Sequence, residues 1–458
     1  MCTLNPLETL AEYVAKAHYD NLPGQVVEQA NFVILDTIGC ALGGARTGLG
    51  RVISDTIKSL GGNPEATMIG QRTKTNCVFA AHVNSILADA LDFEDTYHGL
   101  GHPSATIIPA ALSVAERSAA SGKELITAVV CAYETSMRLG LTMRPCTRKG
   151  KFGSFQYWHT FGATAAASKI LKLNADEIMA AFGYAGASAP LPTYVAARPL
   201  SWIKDNFGEA TAAGVLGALL AEKGYIAPRS PDLEYWYKYD SEKMLKEKLT
   251  GGLGTEYVIL LTGFKPYSAC RFLHSALGAL ETIMRTNRIT PSQVEKVVLY
   301  SHKDVAEDFA VYRPENMVDA EFSFPYVAAA MMLGKKPGLD WYSAETMSDP
   351  EILEMARRIE IRYSEESDRL LNQEDYKKRR VLAEVEVFSA DGKHYQNRSE
   401  LSKGDPQDPL TRPQLLQKFN YVAASAGMPE DRILKTVQAV TGLQTLLDVR
   451  ELGSLLFL

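Results

Sequence analysis

The chain has 458 residues, of which 46% are hydrophobic and 22% are charged, so its composition is that of an ordinary globular protein. This length is too great for one hydrophobic core and predicts two or three domains. The net charge of −6 argues against nucleic acid as a main partner, because nucleic-acid binding needs a basic surface. A small acidic ligand is compatible with that charge if cations are gathered locally.

The cysteines are scattered and form no C-x-x-C pair, so their spacing offers no template for zinc or an iron–sulfur cluster. The amino terminus has neither the basic nor the apolar segment of a secretion signal. No apolar run approaches the ~20 residues that a membrane span requires. We therefore expect a cytoplasmic protein with reduced thiols and no membrane partner.

Apolar residues recur at helical spacing through the first half of the chain. This pattern predicts helices over residues 5–24, 25–42, 51–60, 75–91, 105–119, 159–171 and 209–223. Many of these segments are rich in alanine and glycine, which lets helix axes approach closely. The first half of the chain is therefore predicted to be an all-helical bundle.

The pattern changes near residue 265. Strand-type residues occupy 294–301, and strict alternation over 359–363 and 383–388 predicts two more strands, the last turning at Asp391-Gly392. Helices are predicted between the strands, and residues 412–458 return to helical spacing. The predicted fold is mainly α: a large discontinuous helical domain (1–264 and 406–458) with a smaller α+β lid domain (265–405).

The most informative stretch is 87–105, where four acids and two histidines lie among small apolar residues. The end of a helix is predicted over 89–92, and Ser104 is predicted to cap the next helix. A polar turn between two buried helices is either used chemically or serves to cap the helix starts. Polar residues on loops that a rigid scaffold holds are often functional.

The chain has only eight histidines, so their positions carry information. His102 lies in this stretch, His159 begins a helix of small residues, and His274 follows Cys270-Arg271. A single histidine is more often structural than catalytic, although imidazole is well suited to acid–base chemistry. His102 and His159 occupy comparable helix junctions and could meet across a cleft.

Three other kinds of site find little support. Asp92, Asp95, His98 and His102 are spaced for a metal, but no second cluster completes a ligand set, and we predict no metal. The sequence has no G-x-S-x-G elbow and no glycine-rich phosphate loop.

Basic residues gather near the domain boundary, at Arg198, Lys204, Lys265 and Arg271, where arginine could hold a carboxylate in bidentate fashion.

Four blocks together resemble the MmgE/PrpD family. The blocks are Asp-Phe-Glu-Asp-Thr with His-Pro-Ser-Ala (92–105), Lys-Pro-Tyr with Cys-Arg and His (265–274), Ser-Phe-Pro-Tyr (323–326) and Lys-Gly-Asp-Pro (403–406). The family includes 2-methylcitrate dehydratases, cis-aconitate decarboxylases and an iminodisuccinate epimerase. The resemblance implies a helical domain made from both chain ends, an α+β lid, a homodimer, and no metal or organic cofactor.

The resemblance also implies the site residues. It places Asp92, His102, His159, Lys265 and Tyr326 in the catalytic set, and it adds substrate contacts from Thr96, Lys204, Arg271 and His274. The sequence departs from the family pattern around His159, where Tyr-Trp-His-Thr leads directly into Phe-Gly-Ala. It also has Ala-Thr-Ala-Ala-Gly (210–214) where decarboxylase-like members carry a lysine, which favours dehydration or epimerisation over decarboxylation.

The expected chemistry is proton removal next to a carboxylate, with the developing charge met by fixed cations in a dry site. Lys265, Arg271 and Lys204 are predicted to bind carboxylates, and His102 and His159 to act as acid and base. Asp92 would orient His102, Thr96 would bind substrate and Tyr326 would donate a proton. The leading hypothesis is a dehydratase of a hydroxy di- or tricarboxylate; the alternatives are an epimerase or racemase, a decarboxylase, and a non-catalytic carboxylate-binding protein.

Overall fold

The computed structural model describes residues 5–97, 99–143, 155–190, 201–202, 206–228, 244–373 and 378–458. Within these ranges, nine helices of the first half form the bundle: α1 (Pro6–Lys16), α2 (Gly24–Gly44), α3 (Gly48–Leu60), α4 (Cys77–Asp89), α5 (Ser104–Ser118), α6 (Gly122–Met143), α7 (Phe155–Ile170), α8 (Ala175–Ser188) and α9 (Phe207–Glu222). Two short strands, β1 (Ala66–Thr67) and β2 (Lys74–Thr75), pair between α3 and α4.

Local sequence signals set several of these helix starts. Asn5 and Asn174 each form a capping box with a glutamate three residues on, and Asn76 accepts the backbone N–H of Phe79 at the start of α4. The first helix ends at Lys16 rather than near residue 24, because the chain becomes extended at Ala17 and His18. The buried apolar residues that predict the helix extend only to Val14.

Helix α2 contradicts the expectation that no segment is long and apolar enough to span a membrane. By length and composition its 21 residues could cross one, but 83% of its most apolar stretch is buried inside the protein. It packs against α4, and a helix that is apolar all round belongs in a core. The cysteines within the described ranges, at positions 40, 77, 131 and 270, are free thiols.

The second half contains the predicted sheet. Its strands are β3 (Val294–Ser301), β4 (Ile359–Tyr363), β5 (Ala383–Ser389) and β6 (His394–Ser399), in the order β4-β3-β5-β6. Strands β3 and β4 are parallel, and the other two neighbouring pairs are antiparallel. Strand β5 is buried at every second residue, the alternation from which the strand was predicted.

The remaining helices either lie around this sheet or complete the helical bundle. They are α10 (Glu247–Thr250), α11 (His274–Asn287), α12 (Lys303–Asp308), α13 (Met317–Glu321), α14 (Phe324–Met332), α15 (Ala344–Met347), α16 (Pro350–Ala356), α17 (Glu365–Leu371), α18 (Arg412–Ser425), α19 (Glu430–Thr441) and α20 (Arg450–Gly453). The fold is mainly α with a smaller α+β part, as the sequence predicts.

The described residues form two hydrophobic cores. The larger core lies in the helical bundle and includes Leu415 and Phe419 of α18, so both ends of the chain contribute to it. The smaller core lies between the sheet and its helices. The segment between α4 and α5 belongs to both, since Phe93 packs in the smaller core and Tyr97 in the larger. The polar stretch that stands out in the sequence therefore lies where the two cores meet. The exact domain boundaries at 264/265 and 405/406 stay a prediction.

Candidate active site

The site is built on the segment from residue 90 to 103, which we call the site loop. Helix α4 ends at Asp89, earlier than the predicted end at residue 92, and Asp92 has a left-handed backbone with φ +47°. Such a conformation is strained for a residue with a Cβ and persists only where surrounding contacts hold it. Farther along the loop, Thr96 pairs with Gly263 through two backbone hydrogen bonds of 2.9 Å each. This pairing joins the loop to the segment that carries Lys265.

Asp95 of the site loop caps the next helix, which was predicted to be the role of Ser104. Its Oδ1 accepts the backbone N–H of Ser104 at 3.0 Å, and Ser104 is the first residue of α5 rather than its cap. Its Oδ2 accepts the hydroxyl of Tyr133 at 2.6 Å. Burial raises the pKa of Asp95 to about 7 even though these hydrogen bonds oppose the rise. The proposal that carboxylates here cap helix starts is thus right for Asp95.

Lys265 lies at the centre of the predicted site and has no exposed surface. Its Nζ donates to the backbone carbonyl of Asp92 and to Oδ1 of the same residue, both at 2.9 Å. The carboxylate of Glu94, also without exposed surface, lies 3.8 Å from this ammonium. A buried lysine needs such anions nearby to stay charged.

His102 joins the same cluster from the far end of the site loop. Its Nδ1 lies 2.9 Å from the carbonyl oxygen of Asp95 and 3.2 Å from Oε1 of Glu94. Its Nε2 lies 3.9 Å from Oδ1 of Asp92. A proton on Nδ1 can be donated to the Asp95 carbonyl, which leaves Nε2 as the nitrogen that can exchange a proton with a ligand. The side chain of His102 is 13% exposed, whereas its carboxylate neighbours are buried.

His159 approaches this cluster from α7. Its Nδ1 lies 3.0 Å from Oγ of Ser136, and Nε2 packs so closely on Gly101 that a Cβ there would lie 2.8 Å from it. Burial holds the pKa of His159 well below its usual range, and the charge of nearby His102 lowers it further. His159 is therefore neutral at pH 7.

Phe207, the first residue of α9, lies against both imidazoles. Its ring centroid is 5.3 Å from that of His159 and 6.4 Å from that of His102, both edge-on. The phenyl ring is buried, so it gives both histidines an apolar neighbour. Sequence reasoning missed both Phe207 and Glu94. Glu94 stands inside the motif that was singled out, whereas no local signal marks Phe207.

Arg271 and His274 form a neighbouring cluster. Arg271 donates to Oδ1 of Asp405 at 2.6 Å and to the carbonyl oxygen of Lys403 at 3.2 Å, which ties it to the loop after β6. The Nη1 atom of Arg271 is 3.2 Å from Nδ1 of His274, whose Nε2 lies 3.0 Å from the carbonyl oxygen of Ala269. Burial, followed by the charges of Arg271 and Lys265, holds the pKa of His274 well below its usual range. Both residues thus lie beside the cluster, and their substrate contacts stay a prediction.

Tyr326 and Lys204 are the remaining residues that were predicted for the site. Tyr326 is buried in the smaller core and donates its hydroxyl to the carbonyl of Trp341, and burial raises its pKa above the usual range. A role as proton donor would require that hydroxyl to leave Trp341. Lys204 lies outside the described residues, as do Arg198 and His98.

The ligand atoms of Asp92, Glu94 and His102 lie within 4.8 Å of one another, a spacing that could suit a metal ion. The ammonium of Lys265, however, is 2.9 Å from Asp92 and 3.8 Å from Glu94 and already supplies a positive charge there. A metal ion there would have to share these carboxylates with the ammonium, and the absence of a metal stays a prediction.

The fold and the site define a class: a helical bundle with a smaller α+β part and a buried lysine–carboxylate–histidine cluster where the two meet. Two family models match the chain. The MmgE/PrpD N-terminal domain matches residues 8–234, and the MmgE/PrpD C-terminal domain matches residues 267–441. The chain belongs to the MmgE/PrpD family.

Characterised relatives align over nearly the whole chain. The cis-aconitate decarboxylase of Aspergillus terreus (strain NIH 2624 / FGSC A1156) is 26% identical over 476 residues, covering 95% of this chain and 93% of that protein. The cis-aconitate decarboxylase of Homo sapiens is 25% identical over 468 residues, covering 98% of this chain and 94% of that protein. The Mus musculus enzyme of the same name is 23% identical over 473 residues, with 98% and 93% coverage.

Proposed function

We propose that this chain is a lyase that eliminates water from a hydroxy di- or tricarboxylate such as 2-methylcitrate, without a metal or organic cofactor. The observation that carries the proposal is the buried contact of Lys265 with Asp92 and Glu94, next to His102. A fixed ammonium in a dry site can stabilise negative charge that develops on a substrate carboxylate. Membership of the MmgE/PrpD family supports lyase chemistry on polycarboxylates.

The elimination needs one base and one acid. The base removes the proton from the carbon next to a carboxylate, the electron pair of that C–H bond becomes the C=C bond, and the C–O bond of the hydroxyl breaks. The acid protonates the departing oxygen, so that water leaves. The surroundings of the two imidazoles favour a division of these roles, as often occurs when paired groups lie in unlike environments.

His159, which is buried and neutral, suits the base. His102 has the carboxylates of Glu94 and Asp92 at 3.2 and 3.9 Å as counter-ions for an imidazolium, which suits the acid. Lys265, with Arg271 and Lys204, would hold the carboxylates, and Thr96 and His274 would complete the substrate contacts. Asp92 would orient His102, and Tyr326 stands as a second candidate proton donor.

The family resemblance implies a homodimer, and we propose that assembly here.

Decarboxylation is the second candidate, because the relatives described above are named cis-aconitate decarboxylases. Their identity to this chain is about 25%, a level at which substrate and reaction often differ within a family. Residues 210–214 are Ala-Thr-Ala-Ala-Gly, where decarboxylase-like members carry a lysine, and this difference favours dehydration over decarboxylation.

One experiment distinguishes the candidates. The protein is incubated in deuterated buffer with 2-methylcitrate and, separately, with cis-aconitate, and the products are followed by NMR. We expect an alkene from 2-methylcitrate. Carbon dioxide from cis-aconitate without dehydration would instead identify a decarboxylase, and deuterium exchange next to a carboxylate without an alkene would identify an epimerase. Tight binding without turnover would favour a binding protein.

A further inference from the structure

Three consecutive backbone carbonyls of the site loop are each held by a side chain from a distant part of the chain. The carbonyls belong to residues 91, 92 and 93, and their donors are Oγ of Ser268 (2.6 Å), Nζ of Lys265 (2.9 Å) and Nζ of Lys418 (2.6 Å). Ser268 and Lys265 come from the segment before the lid sheet. Lys418 comes from α18, near the end of the chain, and the proposed mechanism gives it no role.

Lys418 is buried and paired. Its Nζ lies 2.7 Å from Oδ1 of Asp36 on α2 and 4.2 Å from the ring centroid of Phe93. The side chains of Lys418 and Asp36 are only 7% and 4% exposed. Helices α2 and α18 pack against each other, so this ion pair sits at their contact and reaches the site loop through the Phe93 carbonyl.

Stability alone does not account for this pair. Two charges lose their hydration when they are buried, and well-packed apolar residues of similar size often stabilise a protein as well or better. Within the described part of the chain, Oδ2 of Asp36 has no hydrogen-bond partner. Burial raises the pKa of Asp36 although Lys418 opposes the rise, so the carboxylate is only partly compensated. An arrangement this costly points to a geometric role.

We propose that Lys418, held by Asp36, is a positioning residue that fixes the site loop for the reaction. By holding the Phe93 carbonyl, it keeps the neighbouring Asp92 in its left-handed conformation, in which the Asp92 carboxylate meets Lys265. This role rests on the proposed function, because it concerns the same site. It connects both ends of the chain to Asp92, which orients His102 in the proposed mechanism.

The test separates positioning from stability by removing first one charge and then both. Lys418→Met leaves Asp36 buried and unpaired, so both the thermal midpoint and turnover should fall. The double variant Asp36→Leu/Lys418→Met removes both charges, and its thermal midpoint should return to near that of the unmodified protein. Its kcat should stay about tenfold or more below the unmodified value, with KM within about twofold, because misaligned reacting groups cost turnover rather than binding.

Two further variants serve as controls. Lys418→Arg can still donate to the Phe93 carbonyl and pair with Asp36, so it should retain most of the turnover. The double variant Asp431→Asn/Lys435→Met removes an exposed pair on α19 and should leave kcat unchanged. If Asp36→Leu/Lys418→Met regains both stability and kcat, the pair is structural only and the proposal is wrong.

A readout that does not need turnover keeps the proposal testable if the proposed function fails. Amide hydrogen exchange is measured over residues 92–97 in the unmodified protein and in the Asp36→Leu/Lys418→Met variant. Exchange there should be at least about fivefold faster in the variant, while the exchange rates of α4 and α5 stay unchanged. Unchanged exchange overturns the positioning role, whereas faster exchange together with no turnover of any polycarboxylate by the unmodified protein overturns only the proposed function.

Discussion

Glu94 is the residue whose role the structure changes most. It lies inside the Asp-Phe-Glu-Asp-Thr motif, yet the sequence-based hypothesis assigned the chemistry to its neighbours Asp92 and Thr96. Its carboxylate is buried between Nδ1 of His102 at 3.2 Å and Nζ of Lys265 at 3.8 Å. A negative charge at this position faces Nδ1 of His102 and partly offsets the charge that Lys265 offers to a substrate.

Glu94→Gln tests that influence at the residue scale. With the negative charge removed, Nδ1 of His102 loses its charged neighbour, and the imidazole is held less firmly for proton transfer. Turnover should fall by about tenfold or more. KM should not rise, because an anionic substrate then meets one negative charge fewer. Steady-state kinetics at one fixed pH measures both effects.

Glu116→Gln provides the matched control. Glu116 is another buried glutamate, at the far end of α5, where it accepts the backbone N–H of Thr67 at 3.1 Å and pairs with Lys74 at 3.0 Å. Its kcat should match that of the unmodified protein. A Glu94→Gln variant whose kcat also matches the unmodified value would show that Glu94 has no part in the proton transfer.

Individual site residues were predictable to different degrees. His102, Asp92 and Lys265 were named from sequence, and the structure brings them into one cluster. The hydroxyl of Tyr326 is instead engaged by the Trp341 carbonyl, and Arg271 is engaged by Asp405. Sequence spacing predicts which residues approach the site, but the partner that a buried polar atom finally takes depends on tertiary packing.

At the scale of elements, the site loop depends on how α4 ends and how α5 begins. Asp95 links that loop to α5 through Ser104 and to α6 through Tyr133, and its backbone carbonyl also lies 2.9 Å from Nδ1 of His102. One residue therefore fixes a helix start and the orientation of an imidazole. Its carboxyl is fully buried, and its pKa is raised to about 7 from an ordinary value of 3.8.

Asp95→Asn should change how stability depends on pH. Between about pH 4 and 7 the unfolded Asp95 has lost its proton while the folded one retains it, so this group lowers the free energy of unfolding as pH rises and has no further effect above about pH 7. The asparagine does not titrate. The free energy of unfolding of the variant minus that of the unmodified protein should therefore increase as pH rises from about 4 to 7. Urea unfolding at intervals of half a pH unit measures it.

The difference between the two proteins isolates Asp95. Buried His159 and His274, with pKa values well below the usual 6.5, reduce stability as pH falls below that value, but they do so in both proteins. Asp55→Asn, which removes an exposed carboxylate from α3, serves as the reference for charge loss. A constant difference between Asp95→Asn and the unmodified protein from pH 4 to 7 would contradict the raised pKa.

Regular elements were the part of the fold that the sequence predicted best. The alternation in 383–388 became β5, and the helical spacing of 105–119 became α5, one residue earlier at Ser104. Asp95 as the cap of α5 and Lys418 as the partner of Phe93 were not predictable, because one acts across nine residues and the other across 325. Local periodicity reports burial, whereas these contacts depend on how the elements assemble.

At the scale of the whole molecule, the two hydrophobic cores meet at the site loop. Leu91 and Phe93 of this loop pack in the smaller core, and Tyr97 and Leu100 pack in the larger. Lys265 enters from the segment that leads into the α+β part. Charges that would be costly inside either core are gathered at this junction, where they compensate one another. The family resemblance was confirmed over both halves of the chain.

The central claim is that His102 transfers a proton at this junction, and His102→Asn tests it most directly. The asparagine Nδ2 can replace Nδ1 as donor to the Asp95 carbonyl, so the thermal midpoint should remain close to that of the unmodified protein. His394→Gln, on the exposed strand β6, is the control for loss of a histidine. With 2-methylcitrate as substrate, we predict that kcat of His102→Asn falls by about a hundredfold or more, whereas a folded variant with kcat within about twofold of the unmodified protein would contradict the account.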